Sequence, residues 1–434
     1  MRKLLLVILV GVAAGNVTRA VSYEDKPRDP YFAKFQPLKS PKPTKHFLHE
    51  GDRLAICGDS ITEQRMYSRI METYLTVCAP ELNVSVRQYG WSGEKAPEFL
   101  GRMTNDCLRF KPTIATTCYG MNDHEYRTYE PAIGNLYSNT SIKIIESFKA
   151  NGARMVQGSP GCVGKRPGWS KATNSTMEDL NLNLCMLRNI GIQVAKNEKE
   201  SFADVFWPML VEGHEAQVKY GNDYALPGKD GVHPNWAGHL VMAYAFLHSF
   251  GMDGDVGTFT VDLRKNSAKV SAGHELVSFA NGELHVMSHK YPFCIGEGNP
   301  VKDDNILSGT MLVPFNEELN RLTLVAKHGK AKSYKVTWGE GSKVYSASDL
   351  AKGVNLAKDF GRNPFSDAFK KVDEAVAKKQ EFETHQIKVV FHGDRGKKDM
   401  EAAAANTEKE REPLVAAVKA AFVPVAHIIK IEAQ

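Results

Sequence analysis

Between residues 51 and about 250, short apolar runs alternate with longer stretches of helical spacing, and this alternation leaves few folds open. The runs are 53–57 (R-L-A-I-C), 83–89, 112–118, 153–157 and 202–206. Between them, residues 62–78, 94–110, 131–150 and 176–197 read as helices. In the last, Leu180, Leu184, Leu187 and Val194 recur on one face. Strands alternating with helices predict a parallel sheet covered on both sides. The expected fold is a three-layer α/β/α, flavodoxin-like domain over residues 51–252. Ligands of such sheets bind beyond the carboxyl ends of the strands, which is where chemistry is expected.

Both flanks differ in texture. Arg2 and Lys3 precede an apolar run over residues 4–14, and small residues lead to Ala20. That is the charged start, short apolar core and small-residue exit of a secretory signal peptide. Residues 1–20 are therefore expected to be a leader, with the mature protein secreted or periplasmic and no integral membrane span once the leader is cut. Residues 21–50, rich in Pro and Lys, read as an extended lead-in. Residues 253–434 are expected to form an α+β extension, β-rich to about 350 and helical from about Asn363. Strand candidates at 257–263, 269–270, 284–288, 322–326 and 334–338 suggest a small antiparallel module, and 426–431 a closing strand.

Charge excludes some partners. The formal balance is 55 basic against 50 acidic residues, and without Arg2, Lys3 and Arg19 it becomes 52 against 50. A near-neutral mature chain gives no electrostatic case for nucleic acid or an anionic membrane. Seven cysteines include no C-x-x-C pair, and the odd number leaves at least one thiol unpaired. Cys57 and Cys118 lie in apolar runs and read as small buried hydrophobes.

Three short stretches lie at strand ends or before a helix. Gly58-Asp59-Ser60-Ile61-Thr62 follows the first strand, so Ser60 is expected on a strand-to-helix turn, near backbone N–H groups that could meet a developing oxyanion. Tyr119-Gly120-Met121-Asn122-Asp123 follows the third strand, and the neutral, directional amide of Asn122 suits an oxyanion donor. Asp230-Gly231-Val232-His233-Pro234-Asn235 precedes a helix over about 236–250. Asp230 can fold back on one imidazole nitrogen of His233 and leave the other to take a hydroxyl proton. Taken singly, each stretch also reads as a helix cap, an Asx turn or a plain loop. Ser92 lacks the final glycine of a G-x-S-x-G elbow, and His214-Glu215 lacks the second histidine of H-E-x-x-H. His239 and His248 are expected to be structural, and Trp91 to line a pocket or join the core. No metal and no cofactor is expected.

Together, G-D-S-I-T, S-G-E at residues 92–94, G-M-N-D and D-G-V-H-P-N resemble, in order and spacing, four blocks of the SGNH (GDSL-type) hydrolase family, spanning about 53–250. The resemblance implies a serine esterase with Ser60 as nucleophile, His233 as general base and Asp230 as its orienter. It also implies an oxyanion hole made by the Ser60 and Gly93 N–H groups and the Asn122 side chain. The extension is similar in texture to those on some bacterial, planctomycete-like members. The implied substrate is a small-molecule or polysaccharide ester, with an O-acylated carbohydrate preferred. Lipid or aryl esters, or a non-catalytic glycan- or surface-binding role, are the alternatives.

Overall fold

The computed structural model describes residues 22–44, 47–172 and 174–434. The expected leader, residues 1–20, lies outside the described residues. Five parallel strands form the first sheet: β1 (Arg53–Gly58), β2 (Ser85–Gly90), β3 (Ile114–Cys118), β4 (Arg154–Gly158) and β5 (Ser201–Ala203). Their order is β2-β1-β3-β4-β5, with β1 lying between β2 and β3 and paired with both. The helices are α1 (Ser60–Glu63), α2 (Tyr67–Cys78), α3 (Ala96–Asp106), α4 (Pro131–Ala150), α5 (Met177–Glu198), α6 (Phe206–Tyr220) and α7 (Trp236–Ser249).

Both faces of the sheet are buried, which is why its strands read as apolar runs rather than alternating ones. Leu54, Ile56, Ile114 and Val156 pack with α2 and α7 on one face. Ala55, Cys57, Ala115 and Met155 pack with α3 and α4 on the other. Each fully buried large aliphatic side chain stabilises the fold by roughly 1.5–3 kcal/mol. All seven cysteines are buried and unpaired, so the core holds thiols and no disulfide among the described residues.

One helix reading and one strand reading need correction. The stretch 62–78 is not one helix: Arg65 adopts φ 57°, which ends α1 and lets α2 start in a new direction. The apolar run 202–206 is mostly not strand. Only Ser201–Ala203 pairs with β4, and Phe206 opens the fifteen-residue α6.

The lead-in packs on this domain. Phe32 and Phe35 are buried against Trp207, with ring centroids 5.8 and 6.2 Å away. The Leu38 N–H donates to Asn189 Oδ1 on α5 at 2.9 Å.

The extension holds two sheets. The strands are β6 (Asp255–Asp262), β7 (Ser267–Val270), β8 (His274–Ala280), β9 (Glu283–Ser288), β10 (Arg321–Lys327), β11 (Ser333–Trp338), β12 (Gly341–Ser346), β13 (Val354–Asn355) and β14 (Val425–Ala433). One sheet runs β13-β10-β6-β7 and the other β12-β11-β14-β9-β8. The module is not purely antiparallel, because β6 and β10 pair in parallel. The C-terminal strand β14 sits in the middle of its sheet, between β11 and β9. Short helices α8 (Ile306–Gly309), α9 (Phe315–Glu318), α10 (Ala347–Lys352) and α11 (Leu356–Asp359) decorate the sheets. The helical end comprises α12 (Ser366–His385), a π-helical turn (Gln386–Phe391), α13 (Asp394–Lys398) and α14 (Met400–Ala421). No helix among the described residues is long and apolar enough to cross a membrane.

Helix α12 joins the extension to the first domain through a buried polar seam. Lys379 donates to Val86 O (2.8 Å) and to Glu383 (2.6 Å), and lies 3.1 Å from Glu72. Gln380 accepts from Ser68 Oγ (2.7 Å) and donates to Glu72 (2.8 Å). Charges at this depth are tolerable only when paired, so removing one partner would leave an uncompensated charge inside the seam.

Candidate active site

Four loops at the carboxyl end of the sheet carry the site. At the end of β1, Asp59 caps α1 by accepting the Ile61 N–H at 3.0 Å, which presents Ser60 as the first helical residue. Close packing sets this turn: a Cβ on Gly58 would lie 2.1 Å from Thr62 Oγ1, and one on Gly90 would lie 2.2 Å from Glu63 N. Burial, reinforced by the charges of Asp123 and Glu94, pushes the Asp59 carboxyl up to about 8 against the Ile61 hydrogen bond.

The loop before α7 brings His233 to this turn. Its Nε2 lies 2.8 Å from Ser60 Oγ, and its Nδ1 lies 2.7 Å from Asp230 Oδ2. Asp230 Oδ1 accepts the N–H groups of Val232 and His233, both at 2.9 Å. Partial burial raises the Asp230 carboxyl, but these bonds and the imidazole outweigh it, and the group ends below the usual carboxylate range. Gly228 makes the loop possible: it has φ +86°, and a Cβ there would fall 1.7 Å from His233 O. Sequence distance is no guide here, since 173 residues separate Ser60 from His233.

Gly93 and Asn122 come from the loops after β2 and β3. Gly93 is exposed with φ +78°. Among the described residues, neither the Gly93 nor the Ser60 N–H makes a hydrogen bond. Asn122 Nδ2 donates to Glu94 O at 3.1 Å, while its Oδ1 accepts from Tyr126 Oη at 3.2 Å. The Glu94 carbonyl, which can only accept, fixes which end of the amide is NH₂ and leaves its second N–H available.

Several residues at the site were given no role by the sequence. Asp123 binds the two oxyanion loops together by accepting from Gly120 N–H (2.9 Å) and Ala96 N–H (3.0 Å). Burial raises its carboxyl to about 6 despite those bonds. Glu94 pairs with Arg102 inside the protein and accepts from Tyr119 Oη at 2.7 Å. Trp169 is 48% exposed, with its ring centroid 5.8 Å from that of His233 and 6.0 Å from that of Tyr126.

The remaining candidates sit elsewhere. His239 is fully buried, and burial first, then the charge of His233, brings it down to about 3. It accepts the Tyr67 N–H (3.2 Å) and meets Gln64 Oε1 (3.1 Å), which ties α7 to the turn after Ser60. His248 is half-buried near Glu318, and His214 stacks on Tyr31 with centroids 4.8 Å apart. Trp91 is half-buried under the extension, 4.8 Å from the His392 ring. Among the described residues, no group of three or more His, Cys, Asp or Glu could hold a metal ion.

Residues 56–241, which contain all of these loops, match the GDSL-like Lipase/Acylhydrolase family. The chain carries a GDSL-like lipase/acylhydrolase domain. By that domain it is an ester hydrolase. Among solved structures it is similar to BT4096, a gut microbial diltiazem-metabolizing enzyme, with a TM-score of 0.70 at 23% identity. The match covers 91% of this chain and 100% of that one, so the shared fold includes the extension. Similarity at a TM-score of 0.39 and 21% identity is found with Axe2, an acetylxylan esterase from Geobacillus stearothermophilus, over 47% of this chain and 96% of that one. LAE5, an α/β hydrolase enzyme from the metagenome of Lake Arreo, Spain, gives 0.38 and 21%, over 48% and 98%. No curated protein matches the chain.

Proposed function

We propose that the hydrolase domain cleaves carboxylic esters by two-step acyl transfer, with Ser60 as nucleophile, His233 as base and Asp230 as orienter. The observation that carries this reading is the unbroken run of contacts from Ser60 Oγ through His233 to Asp230, at 2.8 and 2.7 Å. His233 Nε2 takes the Ser60 proton as Oγ attacks the ester carbonyl, and gives it to the alcohol oxygen as the C–O bond breaks. Water, deprotonated by the same nitrogen, then attacks the acyl carbonyl. The proton returns to Ser60 as the acid leaves. The Ser60 and Gly93 N–H groups and Asn122 Nδ2 hold the oxyanion, and losing one such donor costs roughly 2.7–4 kcal/mol of transition-state stabilisation.

The substrate we propose is an O-acyl, preferably O-acetyl, ester of a carbohydrate. In support, Trp169 offers an exposed indole beside the His233 ring, and an aromatic face with a polar rim suits the C–H face of a sugar. The charged start and apolar core of residues 1–14 support action outside the cytoplasm, after removal of a leader.

The test is hydrolysis of aryl acetates and of acetylated xylan by wild-type, Ser60→Ala and Trp169→Ala protein. Ser60→Ala should abolish both activities. Trp169→Ala should raise KM several-fold on the glycan while leaving turnover of the small aryl ester close to wild type. Equal effects on both substrates would remove the carbohydrate assignment.

A further inference from the structure

The loop that presents Gly93 forms one wall of a solvent-open pocket of about 420 Å³, whose other walls include Glu98, Arg102 and His392. A loop seated on packed core is held by dispersion over many atoms. This one depends on a few polar struts. Trp91 N–H donates to Gly58 O (3.0 Å) and Glu94 N–H to Trp91 O (3.2 Å). Ser92, the residue before Gly93, donates its N–H to Glu63 Oε2. Glu63 is the last residue of α1, the turn that Ser60 begins. One carboxylate thus ties two of the proposed oxyanion donors together.

The carboxylate is in turn held by the extension. Lys388, on the π-helical turn, lies 2.7 and 2.9 Å from the two Glu63 oxygens, with its ammonium 5.3 Å from the Trp91 ring centroid. One turn on, His392 sets its ring edge-to-face on Trp91 and bonds Asp106 at 2.7 Å. The π-helical turn continues α12 at its C-terminal end, over Gln386–Phe391. Here it directs Lys388 at the back of the site.

We propose that Lys388 is a positioning residue of the hydrolase: acting through Glu63, it fixes the Trp91–Ser92 peptide and so sets the direction of the adjoining Gly93 N–H toward the oxyanion. This rests on the serine-esterase reading above. The extension, although remote in sequence from every catalytic group, is then part of the catalytic machinery rather than an appended binding module. Lys388 touches neither substrate nor the reacting atoms. Its loss should slow the chemical step and leave binding nearly unchanged.

The experiment is steady-state kinetics on an aryl acetate with full-length wild-type, Lys388→Met, Lys388→Arg, Glu63→Gln, the Lys388→Met/Glu63→Gln double variant and Ser60→Ala. Complete loss of an oxyanion donor lowers kcat by about 10²–10³, so a loosened donor should lower it by about 10-fold. KM should move by less than about twofold, Arg at 388 should restore most of the rate, and melting temperatures should stay near wild type. Because Lys388 works through Glu63, the double variant should be no slower than the slower single one. The proposal is overturned by wild-type kcat in Lys388→Met, by a defect confined to KM, or by losses that multiply in the double variant. Activity that survives Ser60→Ala would instead refute the esterase reading on which it rests, so the two failures are separable.

Discussion

Replacing Asp230 by Asn should damage the enzyme more than removing the side chain altogether. Asp230 Oδ1 is held by two backbone N–H groups, those of Val232 and His233, each at 2.9 Å. An asparagine amide must put its oxygen there, because its NH₂ cannot accept those bonds. Its NH₂ is then left 2.7 Å from His233 Nδ1, in the place of Oδ2, and donates to it. The imidazole proton moves to Nε2, the nitrogen facing Ser60 Oγ, and the base can no longer accept. Where the wrong tautomer is imposed in this way, kcat falls by about 10⁴, or roughly 5 kcal/mol. The Asp230 side chain is 41% exposed, so water competes for the new bond. A loss on the order of 10³ is the appropriate expectation. Asp230→Ala leaves Nδ1 bare and releases the Val232 and His233 N–H groups to water, but the imidazole can still take the productive tautomer, with a loss on the order of 10². The assay is initial-rate hydrolysis of an aryl acetate by both variants at neutral pH. An Asn variant equal to or faster than the Ala variant would refute the tautomer argument.

Two further outcomes follow from the packing. Gly228→Ala should destabilise the protein by roughly 2–5 kcal/mol, since the new Cβ overlaps His233 O and the residue has φ +86°. A lowered urea midpoint at unchanged slope, with a loss of activity as His233 shifts, would check this. In the extension, Trp338 Nε1–H donates to His427 Nδ1 (3.1 Å), His427 Nε2 meets Ser288 Oγ (2.9 Å), and Ser288 meets His274 Nδ1 (2.8 Å). His274 Nε2 closes the chain on Val256 O at 3.0 Å, so both rings are accommodated as neutral imidazoles. Burial first, then the charge of His274, lowers His427 to about 3. With the folded value below the unfolded one of about 6.5, the stabilisation is complete above about 6.5 and is lost as pH falls from there towards about 3. Thermal melts from pH 7 to 4 should show that acid slope, and it should flatten in His427→Asn. An unchanged slope would contradict it.

What the sequence makes legible here depends on how local its cause is. Strands buried on both faces announce themselves as apolar runs, and helices with one apolar stripe by their period. The α4 range, Pro131–Ala150, coincides with its sequence expectation because Pro131 sets its first turn. Helix α6 was hidden because Phe202, Phe206 and Trp207 form an apolar cluster that reads equally well as strand, and only pairing with β4 decides where the strand ends. The parallel pairing of β6 with β10 and the central place of β14 are long-range choices that no window of residues contains.

At the site, Ser60, Asn122, Asp230 and His233 stand out because each is a polar residue in a short, turn-rich stretch at a strand end or helix start. Asp123 lies in one such stretch, yet its bridge to Ala96 is invisible without the fold. Trp169 lies in a loop without period or motif. Lys388 and His392 read as ordinary charged residues of a solvated helix, and only the docking of the extension brings them to Trp91 and Glu63.

The central claim, covalent catalysis by Ser60, is tested most directly by acid-quenching the wild-type protein during turnover of an aryl acetate and locating the acyl group by peptide mass spectrometry. The account predicts an acetyl group on the peptide containing Ser60, and none on that peptide in Ser60→Ala, which should also be inactive. Turnover without a Ser60 adduct, or activity that persists in Ser60→Ala, would contradict it.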